Sequence, residues 1–247
     1  MRNYLVKIQY IGRGFYGFQK QTGIPTVQDA LEDALETALR KPVQTFGSAR
    51  TDRGVNALNQ YVNFYFDGDL DTLRLSGKLN AMLFKSGITV KEIKEVDISF
   101  HSRKSSKGKL YAYSVSQDKE KSLFLRPYVY VYSEPADIAL MGVALNGLKG
   151  RHDFTLFANI DRTLKKRNNV CEIFNAGIIQ KPPVTIIYFY GDRFLYHMVR
   201  RMVYYVLKGA QGHIPEEELK APFSFPDLPY TRQVLPPEPL FLVDVIY

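Results

Sequence analysis

One carboxylate in this sequence is distinguished by its neighbours. Asp52 sits in the stretch Gly47-Ser48-Ala49-Arg50-Thr51-Asp52-Arg53-Gly54-Val55-Asn56-Ala57, with Arg50 and Arg53 beside it and small residues around it. Gly47 and Gly54 permit a tight backbone path or a positive φ. Strand-like runs, Val43–Phe46 and Leu58–Phe66, bracket the stretch. A loop held between strands can fix one acid at a set angle against a substrate. A carboxylate so held can serve as a general base or as a nucleophile. Asp and Gly are also default turn residues, so the plainer reading is a Gly-bounded turn. Two arginines within three residues of the acid, in a basic protein, favour a functional loop.

The elements that must position this loop follow from periodicity. Tyr4–Ile11 alternates as a strand does, and Thr26–Arg40 is helical, with Val27, Ala30, Leu31, Ala34, Leu35, Ala38 and Leu39 on one face. Thr26 is its cap and Pro42 its stop. A second helical stretch, Leu70–Leu83, and a strand, Ile88–Val96, complete a β-α-β-β-α-β order, that of the ferredoxin-like unit. Beyond residue 103 come a strand, Leu110–Val115, a helix capped by Asp137 over Asp137–Leu148, and two strands, Cys171–Gln180 and Val184–Tyr190. Lys181-Pro182-Pro183 is the turn between those two strands. A helix over Phe194–Lys208 and a final strand, Leu240–Tyr247, end the chain. The expected fold is α+β: two ferredoxin-like units, 1–103 and 104–247, with antiparallel sheets joined into one central sheet, helices on one side and the active-site cleft between the units.

A length of 247 residues suits one large domain or two small ones. The net charge of +8 points to a polyanionic partner, nucleic acid first among them. The single cysteine, Cys171, excludes an intrachain disulfide and fits a reducing cytoplasm. His101, His152, His197 and His213 lie far apart with no ligand spacing, so no metal is expected. Gly12-Arg13-Gly14-Phe15-Tyr16-Gly17-Phe18-Gln19 lacks the Lys-Ser/Thr of a phosphate loop, so no nucleotide cofactor is expected. No signal peptide is visible, and no apolar stretch is long enough to span a membrane.

Arg50-Thr51-Asp52-x-Gly54-Val55-x-Ala57-x-x-Gln60 resembles the catalytic motif of the TruA family of tRNA pseudouridine synthases. Further segments resemble that family in the same order. These are the aromatic-glycine loop after Tyr10, Phe100-His101-Ser102-Arg103, Lys109-Leu110-Tyr111-Ala112-Tyr113, Gly150-Arg151-His152-Asp153-Phe154 and Phe194-Leu195-Tyr196-His197-Met198-Val199-Arg200. The resemblance covers nearly the whole chain. It departs at Leu110, where the family usually has a second arginine, and at Arg53 and Asn56, which replace a small residue and a histidine. These departures are expected to touch tRNA contacts.

The resemblance implies an isomerase that breaks the N1–C1′ bond of a tRNA uridine at positions 38–40, turns the flipped base and rejoins it through C5, without cofactor or metal. It implies Asp52 as the reacting carboxylate, attacking C1′ or taking the C2′ proton. Arg200 would hold Asp52 ionised, and Tyr111 would stack on the target base. Periodicity places Arg200 and Arg201 on opposite flanks of the last helix and does not choose between them. The family motif selects Arg200, leaving Arg201 as a surface residue. Arg50 would occupy the space left by the flipped base. Arg13, Phe15, Arg53, Arg103, Lys109, Lys165, Lys166 and Arg167 are further expected RNA contacts. The His152-Asp153 pair is read as structural, because adjacent side chains in an extended segment diverge. A homodimer acting on tRNA is also implied. The alternatives are a non-catalytic RNA-binding protein on the same fold, which would not need Asp52, and a glycosidase or nuclease, which would want a second carboxylate or a metal cluster.

Overall fold

A computed structural model describes residues 1–159, 168–225 and 227–247. The chain is mixed α+β and its strands pair mostly antiparallel. It divides into two compact units. The first is Met1–Lys107 with Phe241–Tyr247, and the second is Gly108–Leu240. The last strand therefore belongs with the first half of the chain, which no local sequence pattern reveals.

In the first unit, β1 (Arg2–Tyr10), α1 (Val27–Leu39), β2 (Thr45–Gly47), β3 (Asn56–Phe66), α2 (Thr72–Leu83) and β4 (Ile88–Val96) follow one another. β1 is central, antiparallel to β3 on one side and to β4 on the other. β2 pairs with Val62–Phe64 of β3, and Phe241 and Leu242 run parallel to Asn56 and Ala57. Tyr4, Val6 and Ile8 alternate along β1 and are buried, as are Leu31 and Leu35 of α1 and Leu75, Leu79 and Leu83 of α2. These residues form the unit's apolar core.

Thr26 caps α1 by accepting a hydrogen bond from the Asp29 N–H at 3.2 Å. Replacing it with alanine removes that acceptor. Thr26→Ala is expected to cost about 1 kcal/mol and to lower the melting temperature by about 2–4 °C, read by thermal denaturation. α2 begins at Thr72 rather than Leu70, because the Asp71 carboxylate caps it by accepting from the Arg74 N–H at 3.0 Å.

In the second unit the elements are β5 (Gly108–Ser116), β6 (Tyr130–Val131), α3 (Ile138–Gly147), β7 (Gly150–Asp153), β8 (Val170–Lys181), β9 (Val184–Gly191), α4 (Met198–Ala210) and α5 (Glu216–Lys220); β10 (Leu240–Ile246), which ends the chain, returns to the first unit. The strand order β5-β9-β8-β7 is antiparallel throughout, and β6 adds parallel to β5. Lys181 pairs with Val184 across the Pro182-Pro183 turn. α3 is capped by Asp137, which accepts from the Ala139 N–H at 2.7 Å.

α4 starts four residues later than the helix expected over Phe194–Lys208. His197 has φ +64°, a left-handed conformation that a helix interior does not admit, so the helix begins at Met198. Phe194, counted in the stripe by periodicity, packs edge-on against Tyr111 of β5 with ring centroids 5.1 Å apart.

Candidate active site

The loop carrying Asp52 is braced from both sides. Below it, the buried Gln60 carboxamide on β3 accepts from the Ser48 hydroxyl at 2.6 Å and the Ala49 N–H at 3.2 Å, and donates to the Ala49 carbonyl at 2.7 Å. Beside it lies the aromatic-glycine loop. The Phe18 N–H donates to the Thr51 carbonyl at 3.1 Å, and the Thr51 hydroxyl meets the Tyr10 hydroxyl at 2.7 Å. A Cβ on Gly12 would stand 2.2 Å from the Val55 carbonyl oxygen, which only glycine avoids. The loop closes as a turn in which the Val55 N–H donates to the Asp52 carbonyl at 3.1 Å, with Gly54 at φ +80°. Asp52 itself is half-buried between the buried Thr51 and the exposed Arg53.

Asn56 is one of the departures from the family motif that were expected to touch tRNA contacts rather than the chemistry. It is instead buried, 3% exposed, and its side-chain oxygen accepts the Gly12 N–H at 2.8 Å. Its role is to tie the aromatic-glycine loop to the acid loop.

Cations gather around this loop. Arg50 is exposed, and its guanidinium has a lowered pKa from partial burial and from the like charge of Arg103. Two guanidiniums close enough to repel are well placed to share a phosphate. Arg53 lies over the Tyr16 ring, 4.1 Å from its centroid. Arg13 is exposed. Phe15, expected to face RNA, is 8% exposed and belongs to the core; the neighbouring Tyr16, 40% exposed, is the open ring. Two adjacent aromatics were visible in the sequence, but only the turn at Gly14 (φ +98°) and Gly17 (φ +101°) decides which one turns inward.

In the second unit Tyr111 is 7% exposed on β5, opposite Phe189. Tyr113 is fully buried and donates its hydroxyl to the Pro236 carbonyl at 2.9 Å, so it is a packing residue. Lys109 is half-buried on the same strand. Arg200 is half-buried on the first turn of α4 and donates its Nε–H to the Leu235 carbonyl at 2.6 Å. That contact fixes the Nε side of the guanidinium against the Leu235 backbone.

Arg201 corrects an expectation. It is not a surface residue: it is 8% exposed and donates to the Ala158 carbonyl at 2.7 Å and to the Asn159 side-chain oxygen at 2.6 Å. Adjacent positions on one helix thus hold a backbone-aimed arginine and a buried structural one. His152 stacks on Phe223 with centroids 4.1 Å apart, while Asp153 accepts from the Thr155 N–H at 2.9 Å. The two side chains serve separate local contacts, as expected of a structural pair. Lys165, Lys166 and Arg167 lie outside the described residues.

A family model described as tRNA pseudouridine synthase matches residues 7–103 and 144–247, covering the acid loop and the start of α4. The chain belongs to this family. Among the pseudouridine synthases, a relative from Caldicellulosiruptor bescii named tRNA pseudouridine synthase A is 32% identical over 100% of both chains. One of the same name from a Geobacillus species is 35% identical over 97% of this chain and 96% of its own. Another, from Acetivibrio thermocellus, is 34% identical over 100% of both. A solved Cbf5-Nop10-Gar1 complex aligns over 83% of this chain and 45% of its own at a TM-score of 0.39 and 9% identity. Within this family member, no described helix is long and apolar enough to cross a membrane.

His197 makes one consequence of the site measurable. Burial, with Arg200 and Arg201 nearby, pushes its imidazole down to about 4. The unfolded chain therefore takes up this proton first as the pH falls through about 6.5. Stability rises with pH wherever the unfolded state binds more protons. The contribution of neutral His197 is thus complete above about 6.5 and is lost progressively down to about 4. Denaturant unfolding between those limits should show a steeper loss for the wild type than for His197→Asn, which keeps a residue tolerant of the left-handed backbone.

Proposed function

We propose that this chain converts uridines at positions 38–40 of the tRNA anticodon stem-loop to pseudouridine, with Asp52 as the reacting carboxylate. It is an isomerase. The N1–C1′ bond breaks, the uracil turns, a C5–C1′ bond forms, the C5 proton leaves and N1 takes a proton. Atoms balance within the nucleotide, so the residues present suffice without a redox partner or hydrolytic water.

The seating of Asp52 is the observation that carries this reading. A half-buried carboxylate stands on a turn fixed by Gln60, Thr51 and Gly12, at the edge of a group of exposed arginines. Rigid support of a reacting group lowers the cost of reaching its productive geometry. In this proposal the Arg200 guanidinium keeps Asp52 ionised, Tyr111 contacts the extruded uracil, and Arg50 fills its place in the stem. Arg50 and Arg103, with Arg13, Arg53 and Lys109, meet phosphates, so recognition is by shape and charge. Lys165, Lys166 and Arg167 are assigned to the same role.

We also read each half as a ferredoxin-like unit. The order β4-β1-β3-β2 of the first unit supports this. A cytoplasmic homodimer follows from the resemblance to the family. Incubation with unmodified tRNA, nuclease digestion and separation of the nucleosides tests the function. Pseudouridine confined to the anticodon stem-loop is expected. Binding without any pseudouridine would favour a non-catalytic RNA-binding protein.

A further inference from the structure

The turn that starts α4 holds an arrangement the reaction chemistry does not use. Tyr196 and His197 are stacked, with ring centroids 3.7 Å apart and planes 28° from parallel. Tyr196 is 54% exposed, so its ring offers a large part of its surface to solvent. His197 beneath it has φ +64°, a conformation that costs free energy for any residue with a side chain. Such strain persists only where surrounding contacts over-determine it.

Those contacts are present. The Asn159 N–H donates to the Tyr196 carbonyl at 3.2 Å, and the Asn159 side-chain amide reaches His197 Nδ1 at 3.4 Å. Asn159 is in turn gripped by the buried Arg201. The Arg201 N–H closes the turn on the His197 carbonyl at 3.1 Å. A buried arginine thus helps hold an exposed tyrosine on a half-buried histidine. The imidazole stays neutral at physiological pH, so it is an uncharged backing for the phenol ring. Arg200, half-buried on the first turn of α4, adds positive charge close by.

Rigid, open aromatic rings beside positive charge are what single-stranded nucleic acid uses for base stacking, because every base has a π-face. We propose that Tyr196, backed by His197, is a stacking platform for an unpaired nucleobase of the RNA substrate. The proposal rests on the reading of the chain as an RNA-modifying enzyme and adds a contact to it.

The absence of tryptophan from the sequence supplies the experiment. Tyr196→Trp places a single indole on the platform, and stacking on a base quenches indole emission. Saturable quenching by unmodified tRNA, with a midpoint at the wild-type dissociation constant, is expected. Tyr196→Ala should weaken tRNA binding by about 10-fold and raise KM with little change in kcat, while Tyr196→Phe restores both. The salt dependence of binding should keep its slope in Tyr196→Ala, since no phosphate contact is lost. Unquenched emission at saturating tRNA, or a Tyr196→Ala variant that binds as the wild type does, overturns the platform. The quenching, affinity and salt-dependence readouts are taken on binding, so they succeed or fail whether or not pseudouridine is formed.

Discussion

Asp52→Asn is expected to reduce pseudouridine formation on the order of 10⁴-fold, while tRNA binding stays within about twofold because phosphate contacts dominate affinity. The substitution is nearly isosteric and leaves the backbone of the turn untouched. The Val55 N–H still donates to the residue-52 carbonyl, and Gly54 keeps its positive φ. What is lost is the negative charge. An amide neither attacks C1′ nor takes a proton from C2′ at neutral pH, so both routes open to Asp52 close together. Single-turnover assays with excess enzyme separate this from weakened binding. A variant that still turned over at a tenth of the wild-type rate would remove Asp52 from the chemistry.

The largest expected effect on stability is at Gln60, buried beneath the acid loop. Gln60→Leu fits the volume but leaves the Ser48 hydroxyl and both backbone groups of Ala49 without the carboxamide partner they now share. Ser48 and Ala49 are both buried, so water does not substitute freely. Stranding buried polar groups costs about 1–3 kcal/mol each, and a total of about 3 kcal/mol is expected here. That corresponds to a fall of roughly 6–12 °C in melting temperature for a chain of this size. Activity should fall further than folding explains, by about 10²-fold below the melting transition, because the base of the acid loop moves.

The acid loop was legible in the sequence because its signal is local. An acid between two arginines and two glycines, bracketed by strands, needs only the order of residues to be noticed. The helices α1 and α3 were legible for the same reason, since Thr26 and Asp137 are capping residues in front of apolar stripes. What was not legible depends on side chains reaching across sequence distance. Arg201 looks like any helix-surface cation until Ala158 and Asn159 arrive to bind it. Periodicity counted Phe194 and Leu195 into α4, whereas the left-handed His197 breaks the helix before them. Asn56 read as a substrate-facing departure from the family, and the Gly12 N–H explains it as a brace. The choice of Phe15 over Tyr16 for burial turned on two positive-φ glycines, which a sequence marks as permissive without giving their direction.

The central claim is that one carboxylate rearranges a tRNA uridine with no cleavage of the strand and no loss of the base. Tritium at C5 of uridine tests it most directly, because C5 exchanges its hydrogen for the bond to C1′. With tRNA carrying that label, the account predicts tritium release in step with pseudouridine appearing in the anticodon stem-loop, and none with Asp52→Asn. Release of free uracil, a cut strand, or unchanged tritium release by Asp52→Asn would contradict it.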